Sequence, residues 1–158
     1  MVLDGVGLRE VGDVCFMSFQ RGRKVTASIE LPQGSWWDWD VVSYNPGELR
    51  LGAGYDLTYH HGMELVFRDP VLVCCPTAFQ DPVFRAPKPD ELVAVTRQLG
   101  EAPQLLVVFE ADAGGPEPAT CLIAAGSVEV VQGTVFRHWR GDLEQGQRLA
   151  PWVRPPDQ

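Results

Sequence analysis

With 158 residues, a mass of 17.5 kDa and 45% hydrophobic residues, the chain has the size of one ordinary domain and enough apolar material to bury a core without disulfides or metal. Its formal charge of −8 is shared evenly between the two halves, and its densest basic group is only Arg21, Arg23 and Lys24 around Gly22. That distribution argues against a phosphate-binding surface, hence against nucleic acid. No apolar run approaches the ~20 residues that span a bilayer.

In chain order, Val14–Phe19 and Val25–Leu31 read as strands, the second with Val25, Ala27, Ile29 and Leu31 on one face and Thr26, Ser28 and Glu30 on the other. Residues 20–23 suit a hairpin between them, with Gly22 free to take positive φ. Ser35–Val42 is a strand or an ordered loop, and Tyr44-Asn45-Pro46-Gly47 is a turn by composition. A short strand follows from Glu48 to Leu51, ended by Gly52 and Gly54. Tyr55–Tyr59 and Met63–Arg68 read as two further strands, with Met63, Leu65 and Phe67 toward the core and Glu64 and Arg68 away from it.

Asp69-Pro70 marks a tight turn. The unalternating run Val71–Cys75 predicts a strand covered on both faces, and the three prolines in Pro76–Lys88 predict a loop. One helix is expected over Pro89–Leu99. Pro89 fits the first turn, Asp90 and Glu91 complement the positive end, Leu92, Val95 and Leu99 share a face, and Gly100 suits the left-handed stop. Leu105–Phe109, Thr120–Ala125, Val128–Val131 and Thr134–Trp139 then read as strands of an antiparallel meander. The expected fold is mainly β (α+β): an antiparallel sandwich or partly closed barrel of about eight strands with one covering helix. Residues 1–144 form the β-rich domain, and 145–158 an irregular Pro-containing tail with Trp152 as its packing anchor.

The residues that carry chemistry are few. His60, His61 and Glu64 are the most suggestive group, since His and Glu are ordinary metal ligands. No metal is expected, and the two histidines read as half-exposed residues beside a turn; the alternative is a metal pair of His60 and Glu64, which share a face on a regular strand, or a pocket together with His61. No helical HExxH, G-x-S-x-G elbow or phosphate loop is present. Cys15, Cys74, Cys75 and Cys121 match neither a zinc pattern nor a CxxC pair and read as buried apolar residues. Stacking of arginine on tryptophan is expected within Arg137-His138-Trp139-Arg140.

Trp36, Trp37, Asp38, Trp39 and Asp40 form the densest aromatic and acidic stretch. Tryptophan supplies large burial area at interfaces, so these five residues are the candidate partner contacts. The acidic balance, the missing catalytic motif and the absence of any cofactor signature point to a non-catalytic binding protein that neutralises a basic protein partner, in the manner of an immunity protein acting on a toxin. The competing expectation is a small-ligand or enzymatic β-domain with its pocket near His60, His61 and Glu64. An N-terminus without a basic n-region, interrupted by Asp4, together with unpaired thiols, sets the expected location in the cytoplasm.

Overall fold

The computed structural model describes residues 29–157 and, before them, the backbone of three short strands: β1 (Arg9–Val11), β2 (Val14–Met17) and β3 (Val25–Thr26). The rest of the chain adds β4 (Asp38–Asn45), β5 (Glu48–Gly54), β6 (His60–Arg68), β7 (Leu72–Cys74), β8 (Ala78–Arg85), α1 (Pro89–Leu99), β9 (Leu105–Asp112), β10 (Ala119–Ala125), β11 (Ser127–Phe136) and β12 (Arg148–Leu149). All the strands belong to one sheet, in the order β1-β2-β11-β6-β5-β4-β8-β9-β10-β7, with β12 beside β11 and β3 beside β9. These last two pairings are parallel and the others antiparallel. The path does not close into a barrel. The expected mainly β architecture with one covering helix is what the chain adopts.

A bent two-stranded antiparallel ladder, β6–β7 against β11–β10, gives the sheet its second layer. β6 pairs with β11 up to Arg68↔Ser127, and Leu72↔Ala124, four residues on along one strand and three along the other, opens the β7–β10 ladder. Residues 69–71 and 125–126 are thus the two sides of one corner. The Gly126 amide donates to the Arg68 carbonyl at 2.9 Å and the Val71 amide to the Ala124 carbonyl at 2.8 Å. Asp69 takes φ +49° there, a region that Asp tolerates better than most side chains. Strands that bend from one layer into the next are how such corners are made.

The core fills the space between the layers. Met63, Leu65 and Phe67 point into it from β6, as the alternation predicts, opposite Leu105, Val107 and Phe109 of β9. The intervening residues of β9, Leu106 and Val108, are covered by α1 through Val95, with Leu92 and Leu99 beside it. Burial on both faces explains why this strand shows no alternation. The helix occupies the predicted span. Its first turn is held by the Lys88 amide donating to the Glu91 carboxylate at 2.8 Å and by Arg85, which donates to both Glu91 oxygens at 2.6 and 2.9 Å. The Arg85 hydrogen bonds hold the Glu91 carboxyl at about 2, well below its ordinary range. Gly100 ends the helix at φ +82°.

Several local expectations are corrected. β2 pairs with β1 and β11, and β3 with β9, so the expected hairpin between these two strands does not form; its turn at 20–23 lies outside the described residues. β5 runs on through Gly52 to Gly54, while Tyr55–Tyr59 is a turn. The expected loop Pro76–Lys88 contains β8, because Pro82 sits at a break in register between Gln80 and Val83, where a missing N–H costs no ladder bond. β7 is a half-exposed edge strand, not one covered on both faces.

The meander breaks after β10. β11 joins β2 and β6, and the two strands expected over 128–139 are one, interrupted by a bulge around Gly133 at φ +146°. The irregular segment from 145 onward is anchored to the sheet. β12 pairs with β11, the Ala150 amide donates to the Phe136 carbonyl at 2.8 Å, and Ala150 is buried. No helix among the described residues is long and apolar enough to cross a membrane.

Candidate functional site

On the face of β4, β5, β6 and β11 turned away from the main core, polar side chains form a continuous relay. Asp40 accepts from both terminal nitrogens of Arg137, at 2.6 and 2.7 Å. Arg137 Nε donates to His61 Nδ1 at 3.1 Å, and His61 Nε2 lies 2.8 Å from Glu64 Oε1. Glu64 Oε2 accepts from Arg50 at 2.7 Å and from Arg148 of β12 at 2.6 Å. Arg50 also donates to Glu48, which in turn accepts from Arg68.

The order of donors fixes the tautomer of His61. Arginine can only donate, so Nδ1 must accept, and the ring proton is on Nε2, from where it is donated to Glu64. His61 and Glu64 are both fully buried. Burial by itself opposes ionisation of Glu64, but hydrogen bonds from His61, Arg148 and Arg50, with the charge of Arg148, outweigh it and hold the carboxyl at about 2.

The two histidines are not both half-exposed, since His61 is buried, and the alternative pairing of His60 with Glu64 does not form. His61, not His60, meets Glu64, although residues three apart on a regular strand face opposite ways. The irregularity is opposite Gly62, where β11 advances three residues (Gln132 to Val135) while β6 advances two (Met63 to His61). His60 is exposed and lies against Phe136, with ring centroids 6.2 Å apart. Among the described residues no group of three or more His, Cys, Asp or Glu side chains is arranged to hold a metal ion. Both nitrogens of His61 and both oxygens of Glu64 are engaged by neighbours. The relay ties the C-terminal segment to the sheet through Arg148. Room for it is made at Gly52, where a Cβ would lie 2.7 Å from Val42 Cγ2 and 3.2 Å from both Arg137 and His61. Gly52→Ala is therefore expected to lower stability by about 1–3 kcal/mol through overpacking, measured by urea denaturation.

The five residues Trp36 to Asp40 separate into different roles. Trp39 is fully buried, its ring 5.9 Å from those of Phe79 and Phe84, and it cannot serve as a surface contact. Trp36 is half-buried, lies against Gly34 and Gly62, and donates from Nε1 to the Pro32 carbonyl at 2.8 Å. Asp40 is committed to Arg137. Trp37 is 39% exposed and meets Tyr55 edge to face at 6.1 Å. Asp38 accepts from the Leu57 amide at 3.2 Å, which ties β4 to the β5–β6 turn, and from Gln80 at 3.2 Å.

The outer aromatic surface therefore reaches beyond the predicted stretch. Tyr55 is 71% exposed and Tyr59 65%, both on the turn, and three carboxylates surround this end: Asp38, Asp56 and Asp81, the last held by its amide to the Trp37 carbonyl at 2.8 Å. Among the described residues none of these three takes part in an ion pair. Asp56 accepts from the Thr58 hydroxyl and amide, which lower its carboxyl below the ordinary range. The arginines at 137 and 140 face rings other than Trp139: Arg137 stands 5.4 Å from the Trp152 ring and Arg140 4.5 Å from Phe136. Sequence reading missed Tyr55, Tyr59 and Asp81, whose only signal is exposure in a turn or a bulge. It also missed the relay itself, whose arginines at 50, 137 and 148 come together only in space.

No protein-family model matches this chain, and no curated protein and no solved structure matches it.

Proposed function

We propose that the chain is a non-catalytic acidic protein that binds and neutralises a basic protein partner, as an immunity protein neutralises a toxin, and that it acts in the cytoplasm. The observation that carries this reading is the exposed Trp37–Tyr55 pair set among Asp38, Asp56 and Asp81 with no cation paired to them among the described residues. Lysine and arginine side chains gain there both from carboxylate charge and from the aromatic faces. The net charge of −8 steers a basic partner toward encounter. An exposed free thiol at Cys74 suits a reducing compartment.

The test is capture from the native cell with the immobilised wild-type chain and with Trp37→Ala/Tyr55→Ala, at matched thermal stability. A basic protein retained by the wild type and released by the variant supports the reading. Equal capture by both, or an acidic or neutral partner, overturns it. Salt should slow association far more than it speeds dissociation, because exposed charges are screened over ~8 Å at physiological ionic strength.

A further inference from the structure

Three thiols gather where β7, the last strand on the sheet path, lies against β10. The register there runs Leu72↔Ala124, Val73↔Ile123 and Cys74↔Leu122, so its next position sets Cys75 opposite Cys121. Pro76 follows, and the residue before a proline favours extended backbone, which continues the line of the strand through Cys75. Cys121 and Ile123 are part of the main core, and Val73 and Cys75 pack against it, so the two opposed cysteines share a face. Cys74 belongs to the other face and is exposed, which corrects the expectation that it is buried.

Residues directly opposite on antiparallel strands have Cα atoms about 4.5 or 5.5 Å apart, according to the type of pair. A disulfide spans about 4.4–6.8 Å between Cα atoms, with both Cβ atoms on one side. Either type of pair meets that condition with the backbone in place. The thiols also sense one another: burial first, then Cys75 and then Cys74, pushes the Cys121 thiol up to about 12. Burial and then Cys74 push the Cys75 thiol up to about 11. Cys121 is fully buried and its sulfur has only a long contact, 3.7 Å, to the Ala119 carbonyl. Cys75 is half-buried, so it is the thiol of the pair that a small reagent meets first.

We propose that Cys75 and Cys121 form a dithiol–disulfide site, oxidised by exchange with a small disulfide of the glutathione class. Cys75 gives up its proton and attacks one sulfur of the reagent. The reagent's S–S bond breaks, a mixed disulfide forms on Cys75, and the first small thiol leaves with the proton. Cys121 then loses its proton and attacks the Cys75 sulfur, the mixed bond breaks, and the second small thiol leaves. Two protein thiols are oxidised to one disulfide, and one small disulfide is reduced to two thiols. Thiolates are the attacking species, so the raised thiols make the exchange slow at neutral pH, and the pair stays reduced where small thiols are in excess. Once formed, the link encloses β8, α1 and β9 in one loop and pins the outermost strand to its neighbour.

The test is oxidation of the native full chain with oxidised glutathione, alkylation of the remaining thiols, and peptide mapping without reduction. A Cys75–Cys121 crosslink is expected, forming about tenfold faster per pH unit between about pH 7 and pH 9. Cys74→Ser should leave that crosslink unchanged, and Cys75→Ser, at a half-buried position, should abolish it. The urea midpoint of the crosslinked chain should rise, because the link restricts the unfolded chain, and no such rise should follow oxidation of Cys75→Ser. A main product linked between Cys74 and Cys75, or between two chains, overturns the assignment. So do Cys75 and Cys121 that both remain free after Cys74 is fully modified, or a crosslink that lowers the urea midpoint.

Discussion

Replacing Glu64 with alanine is expected to lower stability by about 3–5 kcal/mol, because it leaves three partners of a buried carboxylate without their acceptor. Arg50 and Arg148 lose a charged acceptor, and the Nε2 proton of His61 is left inside the protein. The second readout is local. Arg148 joins β12 to the sheet through this carboxylate, so amide exchange at Leu149 and Ala150 should accelerate in the variant more than exchange in β9. A variant within about 1 kcal/mol of the wild type, with unchanged exchange at Ala150, would show that the relay is dispensable.

The same carboxylate sets an acid limit. Its folded pKa, about 2, lies below its ordinary value of 4.5, so its contribution is fully present above pH 4.5, where folded and unfolded chains are both ionised. As pH falls below 4.5 the unfolded chain takes up the proton first. The contribution shrinks through this window and is gone once the folded carboxyl is protonated near pH 2. Its size is on the order of 3 kcal/mol. Urea midpoints measured across this range should fall steeply for the wild type and more gently for Glu64→Gln. Parallel slopes would assign the acid sensitivity to other carboxylates, Glu91 among them.

How far the sequence reveals this molecule depends on whether the signal is local. The helix was legible to the residue because its start, face and stop are written in neighbouring side chains: Pro89, Asp90 and Glu91, then Leu92, Val95 and Leu99, then Gly100. The inward face of β6 was legible for the same reason. β8 was not, because Pro82 reads as a strand breaker and only the bulge beside it makes it acceptable. The corner was half legible. Asp69-Pro70 announces a turn, but nothing in the sequence says that Gly126 stands opposite it, so that β6–β7 and β10–β11 bend together.

The site was less legible than the fold, and for a related reason. Strand alternation pairs His60 with Glu64, and it is correct for any strand without an irregular partner. The bulge that reverses the choice is in β11, some seventy positions away in the chain. Arg137 was noticed for its neighbour Trp139, yet its partners are Asp40, His61 and Trp152, contributed by three distant segments. Long polar side chains reach several ångströms from their own strand, so a charge network follows three-dimensional packing more than sequence spacing.

Tryptophans 37 and 39, two residues apart, should separate stability from binding. Trp39→Ala removes a fully buried ring from between Phe79 and Phe84, together with the hydrogen bond from Nε1 to the Trp36 carbonyl at 2.6 Å. A cost of about 3–5 kcal/mol is expected, in the range of buried aromatic truncations. Trp37→Ala loses an exposed ring whose described aromatic contact is Tyr55, and should cost no more than about 1 kcal/mol in stability. In binding the order should reverse. If Trp37 is an anchor for the basic partner, its removal should weaken the complex by about 2 kcal/mol or more, seen mainly as faster dissociation. Trp39→Phe, which keeps an apolar ring in the core, should bind normally once folded. A Trp39→Phe protein that is stable but fails to bind, alongside a Trp37→Ala protein that binds as well as the wild type, would move the interface away from this end of the sheet.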